Sequence, residues 1–150
     1  MTTEALLAYA HILAILTMTV FLASEAALCR AEWLNAAVVE RLAKLDMVYA
    51  VAAVCVLLTG VARVVWGAKG MGWYLSNPLM HVKFTLFVTM ALISIKPTLA
   101  FIRWRRALRA HGTLPTADEI RSIRKWIMLQ AHILPLVPLA AVFLARGFGK

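Results

Sequence analysis

A chain of 150 residues that is 63% hydrophobic, with a mean hydropathy of +0.81, lacks the composition of a soluble domain. Lysine and arginine total 16 against 7 acidic residues, a net charge of +9; no reader motif accompanies that charge, which argues against nucleic acid as a partner. One domain uses nearly the whole length and leaves no room for a separate soluble catalytic unit.

Residues Met1 to Glu4 carry no positively charged n-region, so Leu6–Leu28 is expected to be a retained first span rather than a signal peptide. Three further apolar segments follow at Val48–Trp66, Pro78–Ile102 and Ile127–Leu144. Each is near the ~20 residues that cross a ~30 Å hydrocarbon core. The expected fold class is all-α: a polytopic membrane protein with one four-transmembrane-helix bundle over residues 1–150.

The connections have their own signals. Arg30–Asp46 reads as an interfacial helix with Trp33, Leu34, Val38, Leu42 and Leu45 near one face. Gly67–Asn77, rich in glycine and aromatic residues, reads as an ordered cap. The third span should continue as a basic helix to about Arg109 and break at Gly112 and Pro115. Thr116-Ala117-Asp118-Glu119 reads as a capping box that starts the last helix. Pro135 and Pro138 should kink that helix.

Charge divides the connections. The first holds Arg30, Arg41 and Lys44, and the third holds Arg103, Arg105, Arg106, Arg109, Arg121, Arg124 and Lys125. The other face has only Arg63, Lys69, Arg146 and Lys150. The bias predicts a multi-pass protein with loops one and three in the cytoplasm and both termini outside. Anionic lipid of the bilayer is the partner that this placement suits. Cys29 and Cys55 lie roughly 10 Å apart in depth, too far to bridge, and read as two small buried hydrophobes.

Ionisable residues inside spans need a partner, a cavity or a ligand, which singles out His11, His81 and His132. His11 lies about five residues from the outer end of the first span, and His81 and Lys83 just inside the outer end of the third. They share a layer within roughly 10 Å of the outer interface. Two histidines at one depth on different helices are what haem b needs for axial ligands, and one histidine plus another axial group also serves. Arg63, Lys69 and Lys83 lie at a depth that suits the propionates. The same histidines also read as headgroup-level or interhelical hydrogen-bonding groups, or as a proton relay.

His132 belongs to the opposite side, where a hydrogen bond to a carbonyl freed by the prolines is its expected role. Glu25 sits fourteen residues after His11 on nearly the same helix face. An ion pair with Lys96 is expected for it, and a proton path towards His11 is the functional alternative. The small-residue run Ala23-Ser24-Glu25-Ala26-Ala27 permits close helix approach, which leaves a homo-oligomer or a larger membrane complex open. There is no H-E-x-x-H, C-x-x-C, G-x-S-x-G or phosphate-binding glycine loop.

The four spans, the early Tyr9-Ala10-His11-Ile12, and the H-x-K of Asn77-Pro78-Leu79-Met80-His81-Val82-Lys83 resemble the HemJ-type protoporphyrinogen oxidases. The basic third loop and Leu134-Pro135-Leu136 fit the same pattern. In overall texture the chain is closer to a related group of bacterial four-span proteins that resemble HemJ but are not shown to share its reaction. Leu22–Leu28 and Gln130-Ala131-His132 depart from the HemJ pattern. The resemblance implies a bacterial inner-membrane protein in which His11 binds haem b, Lys83 serves activity, and His81 is its neighbour. The expected function is thus a haem b-binding redox protein, an oxidoreductase acting on a tetrapyrrole such as protoporphyrinogen. Against it stand a non-enzymatic accessory or assembly subunit with structural histidines, and a proton-coupled carrier, which the lack of an internal repeat disfavours.

Overall fold

The computed structural model describes residues 2–67 and 70–149. Among them are six α-helices and no strand: α1 (Thr2–Leu28), α2 (Ala36–Trp66), α3 (Met71–Ser76), α4 (Pro78–His111), α5 (Ala117–Ile133) and α6 (Leu136–Ala145). α1, α2, α4 and the α5–α6 pair are each long and apolar enough to cross a membrane. The chain is an all-α membrane protein.

Local chemistry sets the helix ends. Asn35 caps α2 by accepting from the Val38 amide at 3.0 Å. Asn77 does the same for the Leu79 amide at 2.9 Å, with Pro78 as the first helical residue of α4. Gly112, at φ 66°, takes the left-handed conformation that closes α4, and its amide donates to the Leu108 carbonyl. The expected capping box is present, with Thr116 Oγ1 and Glu119 exchanging bonds at the start of α5. Pro135 separates α5 from α6, whereas Pro138 falls in the first turn of α6, where a missing amide is harmless. Pro97 lies inside α4, and the helix runs through it.

The first connection differs from expectation. No separate interfacial helix forms; α2 begins at Ala36 and continues into the span, and only residues 29–35 link it to α1. Val38, Val39, Leu42, Ala43 and Asp46 are buried because the apolar face assigned to lipid packs on the bundle instead.

α1 packs on α2 and α5, and α4 packs on α2, α5 and α6. The spans therefore close a ring in which α1 stands diagonal to α4, and α2 diagonal to α5. Leucines and valines such as Leu13, Leu16, Val20, Val51, Leu58 and Leu92 point outward. On α1 the buried face is His11, Met18, Leu22 and Glu25, spaced by seven, four and three. That inversion is what lipid allows. Apolar surface gains nothing by leaving a hydrocarbon solvent, so packing and polar contacts decide which face turns in.

Both basic connections meet at one end of the bundle. Arg109 holds Glu40 through two bonds of 2.7 and 2.9 Å, and the Arg124 guanidinium donates to the Ala26 and Cys29 carbonyls. At the opposite end Asn77 Nδ2 donates to the Phe148 carbonyl at 3.2 Å, tying the end of the chain to the start of α4. Cys29 is buried and Cys55 exposed, both as free thiols. The expectation that both are buried fails for Cys55, which α2 turns outward.

Candidate functional site

Apart from Asn77, which caps α4, the buried polar residues fall into two layers. His11 of α1 and Glu25 lie about 21 Å apart along one helix face, at ~1.5 Å per residue.

In the first layer His11 is only 4% exposed. Its Nδ1 lies 2.8 Å from Thr59 Oγ1 on α2, and Thr59 Oγ1 lies 2.6 Å from the Cys55 carbonyl. A carbonyl only accepts, so the one hydroxyl proton of Thr59 goes to Cys55. The hydroxyl oxygen then accepts from His11, which places the ring proton on Nδ1 and leaves Nε2 as the lone-pair nitrogen. The Val56 carbonyl also faces the ring. Gly60 lies beside it, and a Cβ there would stand 3.3 Å from His11 Cε1. Arg63 of α2 and Lys83 of α4, both half-buried, bring positive charge within electrostatic reach of His11.

The remaining expected residues are spread out. His81 is exposed, and its Nε2 donates to the Leu75 carbonyl at 2.8 Å rather than turning towards His11. Lys69 lies outside the described residues. His132 is exposed, and its Nδ1 donates to the Met128 carbonyl at 2.6 Å. That acceptor lies one turn back on its own helix, so the expected bond to a carbonyl freed by Pro135 or Pro138 is not the one made. Lys96 does not pair with Glu25; its Nζ sits 4.3 Å over the Trp126 ring. It lies on the outward face of α4, whereas Glu25 points into the core.

The second layer surrounds Glu25. Glu25 is 1% exposed, and its Oε1 has no hydrogen-bond partner. Asp46 of α2 lies within electrostatic reach of it and accepts from Thr98 Oγ1 of α4 at 2.9 Å. Tyr49, one turn further along α2, donates to Gln130 Oε1 of α5 at 3.0 Å across the bundle diagonal. Asp46 was absorbed into the first loop by its sequence position. Its apolar flanks Leu45, Met47 and Val48, and its i+3 relation to Tyr49, are the signal that places it in a span.

Between the layers lies a cavity of about 200 Å³, lined by Met18, Tyr49, Ala53, Phe87 and Met90 and opening outward between α2 and α4 past the exposed Ala50, Val54 and Ala91. Ligand pockets for drug-sized molecules run from ~300 to 1,000 Å³, so this space does not hold a macrocycle.

Residues 3–149 match the family described as predicted membrane protein (DUF2214). No curated protein and no solved structure matches the chain.

Proposed function

Because the chain belongs to the DUF2214 family of predicted membrane proteins, we propose that it acts within the bilayer as a haem b-binding redox protein with His11 as an axial ligand. The observation that carries this is the hydrogen-bond chain from His11 through Thr59 to the Cys55 carbonyl. It holds the imidazole in one tautomer and aims the other nitrogen, an arrangement that metal-binding histidines owe to an outer partner. Gly60 packs beside the ring, where a Cβ would stand 3.3 Å from Cε1. Arg63 supplies positive charge for a propionate, and Lys83 does so for a second propionate or for an anionic substrate. His81 is exposed and its Nε2 is bonded to the Leu75 carbonyl at the edge of the bundle, so we assign the axial role to the buried His11.

When bound, haem b supplies a one-electron couple whose potential its surroundings tune. Oxidation of a tetrapyrrole such as protoporphyrinogen is the specific reaction, following the resemblance to the HemJ type. In it Lys83 binds and orients an anionic substrate from a site that the spans keep in low dielectric. The setting is a bacterial inner membrane with the basic end in the cytoplasm and both termini in the periplasm, as the charge bias favours.

Two experiments test this. Protein purified from haem-replete cells should show a Soret band; His11→Ala should abolish it and His132→Ala should keep most of it. Equal haem in the two variants refutes His11 as the ligand. A colourless wild-type protein favours an accessory subunit with structural histidines. For orientation, single cysteines are placed at Thr3 and Thr113 in a chain lacking Cys29 and Cys55. Only the one at Thr3 should react with an impermeant reagent outside intact cells, and labelling at Thr113 reverses the assignment.

A further inference from the structure

Glu25 is an acidic side chain in the core of a membrane bundle with one oxygen that nothing satisfies. Its charged and titratable surroundings can be taken element by element. α2 presents Asp46 and Tyr49, and the connection after α1 presents Cys29. From α5 come Gln130, already bonded to Tyr49, and Arg124, whose guanidinium is committed to the Ala26 and Cys29 carbonyls. α4 contributes Thr98, which donates to Asp46, while its Lys96 turns to Trp126. Among the described residues none of the three ion pairs involves Glu25 or Asp46. Two neighbouring carboxylates that share no ion pair do not both stay ionised in so dry a place; one neutralises by taking a cation.

We propose that Glu25 and Asp46 form a proton-binding site in the core of the bundle, with Glu25 as the carrier. Glu25 Oε1 is the atom without a partner, whereas Asp46 already accepts from Thr98 and is steadied by it. Tyr49 both approaches the two carboxyls and lines the cavity, which reaches Met18, midway along α1 between Glu25 and His11. The site uses none of the His11 layer and stands whether or not haem is bound there.

Infrared spectroscopy on the full chain in lipid vesicles tests it. At neutral pH in potassium medium, the wild type should show the carbonyl stretch of one protonated carboxyl in a dry setting. Glu25→Gln should remove that band, and Asp46→Asn should shift it without removing it. If Glu25→Gln fails to fold, the wild-type spectrum with the Asp46→Asn spectrum still decides. Absence of the band in wild-type protein overturns the proposal, as does its loss in Asp46→Asn alone. Exchange of potassium for sodium should leave the band in place; its disappearance would replace the proton with a sodium ion as the occupant.

Discussion

The two polar layers share one face of α1 and differ in sign. At His11 an imidazole is anchored by Thr59 and flanked by two cations; Glu25 lies within electrostatic reach of a second carboxyl, Asp46, and among the described residues neither forms an ion pair. A membrane core makes burial easy for apolar groups anywhere, so a polar group turned inward marks a place where an unsatisfied group facing lipid costs more. The His11 layer meets that demand with a closed hydrogen-bond chain and spare positive charge, which suits an anionic ligand. The Glu25 layer leaves one oxygen open, which suits a small cation. Similar burial thus serves opposite chemistry.

The largest expected effect separates the layers by charge. Lys83→Met keeps most of the apolar stem and the fold but loses the cation beside His11. In a strain lacking its own protoporphyrinogen oxidase, wild-type protein should relieve tetrapyrrole accumulation, Lys83→Met should not, and Lys83→Arg should do so in part. A wild-type protein that expresses, binds haem and still gives no relief ends the oxidase assignment and leaves an electron-transfer haem protein.

Next in size is Tyr49→Phe, which acts on the other layer. It strips the donor from Gln130 Oε1, a fully buried acceptor, and should lower stability by about 1–3 kcal/mol in a reversible detergent unfolding titration. Haem content should not change, since the His11 layer keeps every partner. A parallel loss of haem would show that the two layers are one unit.

The smallest effect is expected from Gly60→Ala. The added methyl stands 3.3 Å from His11 Cε1, so the ring must give by a few tenths of an ångström. The change from glycine to alanine inside a helix returns up to ~1 kcal/mol. Unfolding midpoints should therefore barely move while haem affinity falls. Unaltered haem affinity would mean that the face of the ring beside Gly60 is not used.

Much of this architecture is local and therefore readable along the chain. The spans follow from runs of apolar residues, and the α5 start from Thr116 and Glu119, three positions apart. The gathering of Arg30, Arg109 and Arg124 at one end follows from the alternation of four spans. The candidate site was legible only in part. His11 and Lys83 announce themselves as polar residues in apolar runs, whereas Asp46 hides among the charges that precede the second run.

The amino-acid sequence by itself determined the number of spans, their caps and the basic end, because each depends on neighbours within a few residues or on summed hydropathy. Only the tertiary structure decided which face of each span turns inward. The spans are apolar nearly all round, so little amphipathic bias selects a face, and packing against neighbours settles it. That is why Glu25 meets Asp46 instead of Lys96, why Lys96 rests on Trp126, and why Tyr49 finds Gln130 across the diagonal. These pairings join residues far apart in the chain, and depth alone could not distinguish them from their rivals on the same helices.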